Sequence, residues 1–392
     1  MRRAAPATAA VALVTLVWIT LQHLWYAHDV ISDVQVYRHY GNAMVHHHRV
    51  PYRDFRLEYP PAALPVFLIP ALTGAFLDVF QALMALCHLA IVLTVLRLRG
   101  RAAAALAAVV PLLLGSVTPT RYDLWPTALA VLALGLLVSD RSTAAAIVLG
   151  TGFAAKLWPG VLAPVFCIWL WQRHGPRAAG RWLGIAGATA AAWFVPFLVL
   201  GPRGVAHSFY LQFARPLQIE SFGGAVLVAL HDFAGSPVGT ESTFGSQNVV
   251  ASGTHAAAIV TTLFELVAIL AVYGTLVQRP PTVDGVLVAC AAAVTAMIAF
   301  GKVFSPQYLV WLAPFVPLAA RRWSTAFYVT ALVLTQIYFP KRYWAYATGL
   351  HHVEVGLVVL RDLTVVALFG LLLYALQTAS AASSSRASPA VS

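Results

Sequence analysis

Uncharged apolar runs recur along almost the whole chain, set apart by short basic or aromatic stretches, and no single water-soluble core can absorb so many of them. Hydrophobic residues make up 60% of the 392 positions and charged residues 10%, a balance that belongs to a lipid-embedded chain. In hydrocarbon every backbone polar group needs an internal partner, so the expected fold is an all-α polytopic membrane protein.

Spans are expected near 8–28, 79–98, 102–117, 122–138, 142–157, 159–172, 181–200, 256–277, 283–300, 306–320, 323–339 and 354–376, a bundle of about 12 helices with a range of 10–13. The stretch from Ser142 to Trp171 holds either two short spans or a single kinked one. The N-terminal segment has the charged start of a signal peptide. Its apolar run resumes with bulky Leu24, Trp25 and Tyr26, however, so it reads as a retained signal anchor and not as a leader cut after Ala27. Residues 1–376 then form one transmembrane module, and the Ser-rich remainder, 377–392, reads as a disordered cytoplasmic tail.

Arg2/Arg3, Arg97/Arg99/Arg101, Arg141, Arg173/Arg177/Arg181, Arg279 and Arg321/Arg322 all fall on one side of this path. The positive-inside rule makes that side cytoplasmic, with both termini on it. The formal charge of +11 is therefore a topology signal, scattered between apolar runs, and no nucleic acid is expected as a partner. Parity requires the apolar piece 60–77, broken by Pro61, Pro65, Pro70 and Gly74, to be re-entrant or interfacial. The two long polar loops, 29–61 and 201–255, then share the exterior face. Cys87, Cys167 and Cys290 each lie inside an apolar run and read as small core residues. Consecutive side chains diverge on any backbone, so His46-His47-His48 reads as a solvated loop; no metal is expected.

The run Ser32 to Pro61, SDVQVYRHYGNAMVHHHRVPYRDFRLEYPP, is too polar for hydrocarbon and is expected to form a structured cap, with Asp33 close to a helix mouth. Arg38, Arg49, Arg53, Arg56, Arg121, Arg203, Arg215, Lys302, Lys341 and Arg342 fall on the exterior side, where the rule expects few cations. Guanidinium forks suit phosphate, and at bilayer depth a lipid-linked phosphate; equally, such residues snorkel or ride on translocated loops. Four islands, TPTRYDLWP, AAKLWPG, ARPLQIES and GKVFSPQYLVWLAP, place a charge or amide at the end of an apolar segment. Ends of that kind converging on one face would line a cavity. Trp25, Tyr26, Trp125, Trp158, Trp311, Tyr343 and Trp344 read as interfacial anchors, one or two of them free to stack on a sugar ring.

Taken in order, SDVQVYRHYG, PYRDFRLEYPP, RYDLWP, AAKLWP, RPLQIES and SPQYLVWLAP resemble the GT-C glycosyltransferases that use polyprenyl-phosphate sugars. Within that superfamily the set is similar to family 87, the actinobacterial mannosyltransferases related to the phosphatidylinositol-mannoside enzymes. The resemblance covers nearly the whole hydrophobic chain. It implies a GT-C-like bundle in a bacterial plasma membrane and inverting transfer on the extracytoplasmic face. The sugar would be mannose, and the acceptor a cell-envelope glycolipid or glycan. Asp33 matches the position of the general base, with Glu58 and Asp123 as alternatives and Asp54 a further rival in the same loop. Arg38, Tyr37, Arg56, Tyr59, Arg121, Lys156, Arg215, Gln218, Glu220, Lys302 and Gln307 are then expected around the donor phosphate and sugar. Asp123 and Glu220 alternatively orient the acceptor or an arginine, and Arg215 with Glu220 alternatively braces a loop turn by its own salt bridge. The donor is a co-substrate, and neither cofactor nor divalent metal is implied.

The chemistry agrees with one carboxylate. A sugar hydroxyl is a poor nucleophile until a base in hydrogen-bond reach takes its proton, whereas a phosphate leaving group needs cations and little protonation. A transporter or lipid flippase is the rival reading of so many spans. Against it stand the lack of a repeat between the halves, polar residues at span ends and not at the midplane, and a long carboxylate-bearing first loop.

Overall fold

The computed structural model describes residues 4–378. It is 77% helical, which fixes the all-α, membrane-type class. The chain starts with α1 (Ala4–His23), α2 (Val34–Val45), α3 (Leu64–Ala71), α4 (Phe76–Arg99), α5 (Arg101–Leu114) and α6 (Val117–Thr120). It continues through α7 (Leu124–Val138), α8 (Ser142–Ala155), α9 (Leu162–His174), α10 (Pro176–Leu200), α11 (Pro202–Phe213) and α12 (Phe222–Ala234). The hairpin of β1 (Val238–Thr243) and β2 (Ser246–Ala251) follows, then α13 (Thr254–Val277), α14 (Val283–Phe300), α15 (Leu312–Ala319), α16 (Arg322–Tyr338), α17 (Tyr343–Ala347) and α18 (His352–Thr378). The tail expected from Gln377 lies, beyond Thr378, outside the described residues.

Among the described residues six helices, α1, α4, α10, α13, α14 and α18, are long and apolar enough to cross a bilayer. The other expected spans are helical too, as α5, α7, α8, α9, α15 and α16. At 8 to 17 residues they are shorter than the roughly 20 that full crossing requires. Most of α14 is buried, which makes it the axis of the bundle.

Ser142 to Trp171 is not one kinked helix. Lys156 breaks it with an extended backbone, φ −160° and ψ 141°, and a 3₁₀ turn over Trp158–Val161 starts the return. Arg173, near the end of α9, meets Asp140, just before α8, at 3.4 Å, so the two helices run antiparallel. A single residue separates α4 from α5: Gly100 at φ +84°, a conformation that costs a side-chain-bearing residue about 1 kcal/mol or more.

The chain alternates between two ends of the bundle. At one end Asp284 in the first turn of α14 pairs with Arg99 and, at 2.5 Å, with Arg321, while Arg99 donates to Leu318 O at 2.6 Å. At the other end Gln22 of α1 donates to Gln81 of α4 at 3.1 Å, and Trp125 donates to Ala62 O at 2.9 Å. The Pro-rich piece 60–77 stays at this second end. The 8 residues of α3 span only about 12 Å. They pack under α2 so closely that a Cβ on Gly41 would lie 2.4 Å from Phe67 O, which leaves glycine as the residue that fits.

The stretch 201–255, read from sequence as a polar loop, is instead folded. Ser221 Oγ accepts from Gly224 N to cap α12, and Gly235 in the left-handed region stops it. Phe244 and Gly245, both at positive φ, close a two-residue turn between the paired Thr243 and Ser246.

Candidate functional site

At the second end of the bundle three carboxylates and three cations meet around one small chamber of about 160 Å³. Asp33 pairs with Arg121 at 3.0 Å, Asp123 with Lys156 at 2.6 Å, and Glu58 with Arg215. The side chains come from the start of α2, the stretch before α7, the break after α8, the end of the first loop and the turn after α11.

Asp33 stands at the N-cap of α2, yet its carboxylate makes no capping hydrogen bond, because Ser32 Oγ accepts from Val34 N at 3.1 Å in its place. The carboxylate is thereby left to face the chamber with its side chain 34% exposed. Its contact with Arg121 is an ion pair without an aligned hydrogen bond, and Tyr37 Oη reaches it only at 3.4 Å. Lone pairs on Asp33 therefore remain open to a third group.

Asp123 is built differently. Its Oδ1 accepts from Lys156 Nζ and from Trp311 Nε1, both at 2.6 Å, and its side chain is 1% exposed. The Lys156 ammonium also lies 4.8 Å from the Tyr122 ring centroid and 5.4 Å from that of Trp311. Trp311 in turn stacks on Trp158 at 5.0 Å, and both are buried, so neither is an interfacial anchor. Glu58 is held by Arg215, and its backbone carbonyl accepts from Ser208 at 2.7 Å and Gln212 at 3.2 Å. Among the three, Asp33 has the most accessible carboxylate.

Phenols line the chamber. Tyr37 stacks on Phe67 at 4.8 Å, and Tyr59 meets Tyr122 edge-on at 5.0 Å. Burial, followed by the nearby Asp33 and Glu58 carboxylates, holds the Tyr59 hydroxyl well above its usual range, so it stays a neutral donor.

Three further cavities adjoin. A passage of about 270 Å³ shares Lys156, Gln212 and Tyr308 with the chamber and runs to Lys302. A groove of about 830 Å³ shares Arg215 with the chamber and Lys302 with the passage. Its walls are the 214–217 turn, the hairpin and the apolar flank of α13, where Ile259 and Leu263 are about half exposed. On the opposite face of α2, Gln22, Gln35, Arg38, Gln81, Ser116 and Thr120 line a cavity of about 310 Å³. Arg38 Nε is buried there without a hydrogen-bond partner.

Of the residues singled out in the sequence, Asp33, Tyr37, Glu58, Tyr59, Asp123, Lys156, Arg215 and Gln307 line the chamber. Arg121 reaches it through Asp33, and Lys302 lies at the junction of groove and passage. Arg38 faces the cavity across α2, and Arg56 is exposed and lines neither. Gln218 and Glu220, 2% and 1% exposed, sit behind the chamber wall. Nor does Arg215 brace the turn with Glu220, since Glu58 takes that place. Asp54 is tied into a surface turn by Arg53 and Val50 N; these bonds lower its carboxyl to about 2 and keep it away from the chamber. Sequence reasoning passed over Tyr122, Ser305 and Tyr308 in the wall, although each lies within an island or motif it had marked.

No family model and no curated protein matches the chain.

Proposed function

We propose that this chain is an integral-membrane inverting glycosyltransferase that moves a sugar from a polyprenyl-phosphate donor to a hydroxyl of a cell-envelope glycolipid or glycan. The observation that carries the reading is a junction. A small polar chamber, ringed by acid–cation pairs, shares Arg215 with a long apolar groove that has Lys302 at the same end. A prenyl chain matches the groove, its phosphate the two cations, and a single sugar ring the chamber, which is below the roughly 300 Å³ of a drug-sized pocket.

In this reading Asp33 is the general base. The acceptor hydroxyl enters from the cavity across α2, whose amides and hydroxyls suit a polyol. Its proton passes to Asp33 while its oxygen bonds the anomeric carbon. The carbon–oxygen bond to the phosphate breaks, and the electron pair leaves with the phosphate under Arg215, Lys302 and Lys156. Asp123, already engaged twice, orients Lys156 and takes no proton. Gln307 is placed for a sugar hydroxyl. The path through the bilayer is a twelve-pass one, with the short helices packed among the long ones, both termini cytoplasmic and the chamber extracytoplasmic. Mannose as the sugar rests on the resemblance of the ordered motifs.

The test is transfer from radiolabelled polyprenyl-phosphate-mannose to membrane lipids by the purified full chain, with Asp33→Asn beside it. Loss of transfer with retained donor binding supports both the class and the base. Absence of transfer by the wild type with mannose, arabinose and glucose donors favours a transporter or flippase instead.

A further inference from the structure

Gln218 and Glu220 do not line the chamber, yet a continuous chain of contacts links them to its wall from deep within α18. Arg361 of that helix is fully buried, its guanidinium carbon 3.7 Å from the centroid of the Phe304 ring. Its Nη1 donates to Tyr338 Oη at 3.2 Å and its Nη2 to Glu220 O at 2.6 Å, while its Nε lies 2.7 Å from Asp362 Oδ1. Tyr338 donates to Glu220 Oε1 at 2.7 Å. Gln218 Nε2 donates to Glu220 Oε2 and to Ser305 Oγ, both at 3.1 Å, and Gln218 Oε1 accepts from Phe304 N at 2.8 Å. Ser305 lines the chamber beside Gln307 and Tyr308.

Two backbone segments are pinned by this chain. Segment 216–221 carries Arg215 at its head and is further held by Tyr346 Oη donating to Ile219 O at 2.6 Å and Gln218 N donating to Lys302 O at 2.9 Å. Segment 302–307 forms the facing wall. An arginine and two carboxylates buried together cost more desolvation than an apolar cluster of equal volume, so fold stability alone is a poor reason for them. What apolar side chains cannot do is fix two segments in register through directed bonds to one carboxylate and one carbonyl.

We propose that Arg361 and Tyr338 are positioning residues that act through Glu220 and Gln218 to set Arg215 and the Ser305–Tyr308 wall for the donor. The kinetic part of this claim rests on the glycosyltransferase reading; the structural part does not.

Tyr338→Phe removes one hydroxyl, and with it both the Arg361 and the Glu220 contact, at nearly constant volume. In the purified full chain its donor KM rises about tenfold while the acceptor KM is unchanged. Amide hydrogen exchange quickens at Gln218, Ile219 and Ser221 and not in α4 or α7. Arg361→Lys, which keeps the charge but not the double reach, falls between wild type and Arg361→Gln. Unchanged exchange in 216–221, exchange raised evenly over the molecule, or equal shifts in both KM values overturns the proposal. A wild type without transfer removes the glycosyltransferase reading, and the exchange comparison then decides the positioning claim alone.

Discussion

The two ends of the bundle are both held by arginine–carboxylate pairs, and they use them in opposite ways. At the far end one carboxylate, Asp284, serves two arginines, Arg99 and Arg321, and the knot ties helix ends without lining any of the four cavities around the site. At the near end each carboxylate has its own cation, and the pairs stand around a chamber. An ion pair therefore does not mark a site. A pair whose open edge looks into a cavity does, and Asp33 meets that condition while Asp284 does not.

The sharpest way to break this contrast is to neutralise one carboxylate at each end. Asp33→Asn is expected to lower transfer by about 10²- to 10⁴-fold with the protein still folded, and Asp284→Asn to leave the turnover of folded protein unchanged. Both are read by labelled transfer normalised to monodisperse protein. Within the near end, Asp123→Asn is the structural counterpart. It leaves the Lys156 ammonium without its carboxylate in a largely enclosed place, so a loss on the order of 3–5 kcal/mol is expected in unfolding experiments in detergent, partly recovered by adding Lys156→Met.

A third comparison is by pH. Burial raises the Glu220 carboxyl from 4.5 to about 7, against the lowering influence of Arg361 and Tyr338. Between those values the folded chain holds a proton that the unfolded chain has released, so stability falls as pH rises from about 4.5 to 7 and levels off above. The total is on the order of 3 kcal/mol. Glu220→Gln is expected to make that slope shallower in unfolding midpoints measured across the range; a slope identical to that of the wild type assigns it elsewhere. The smallest effect belongs to Arg56→Ala, which removes an exposed cation from neither cavity and is expected to leave donor KM within twofold.

Much of the bundle was legible because apolar runs announce themselves. The helix expected over 283–300 is α14 to the residue, and that expected over 256–277 is α13 with one added half-turn. The 201–255 stretch was misread because its elements are short and lie among polar residues. Its signals were nevertheless present: Ser221 ahead of the apolar run in α12 and Gly235 behind it. The β-turn was harder, since Phe-Gly is not one of the dipeptides that favour two positive φ values. In the site, the residue types and islands were readable but the partners were not. Glu58 and Arg215 are 157 positions apart, Asp123 and Trp311 188, and nothing local to either sequence says that they meet. Glu220 shows the converse error, a carboxylate in a promising motif that the fold turns inward to Tyr338.

Those separations bear on how the chain is made. During synthesis from the N-terminus, Glu58 waits for Arg215, and Asp123, though it gains Lys156 early, waits for Trp311 to arrive with the α15 region. Half-made protein in the membrane thus carries Glu58 unmatched and Asp123 with only one of its two partners, and the chamber closes only when four-fifths of the chain has been inserted. No amino-terminal fragment that stops before that point contains the site.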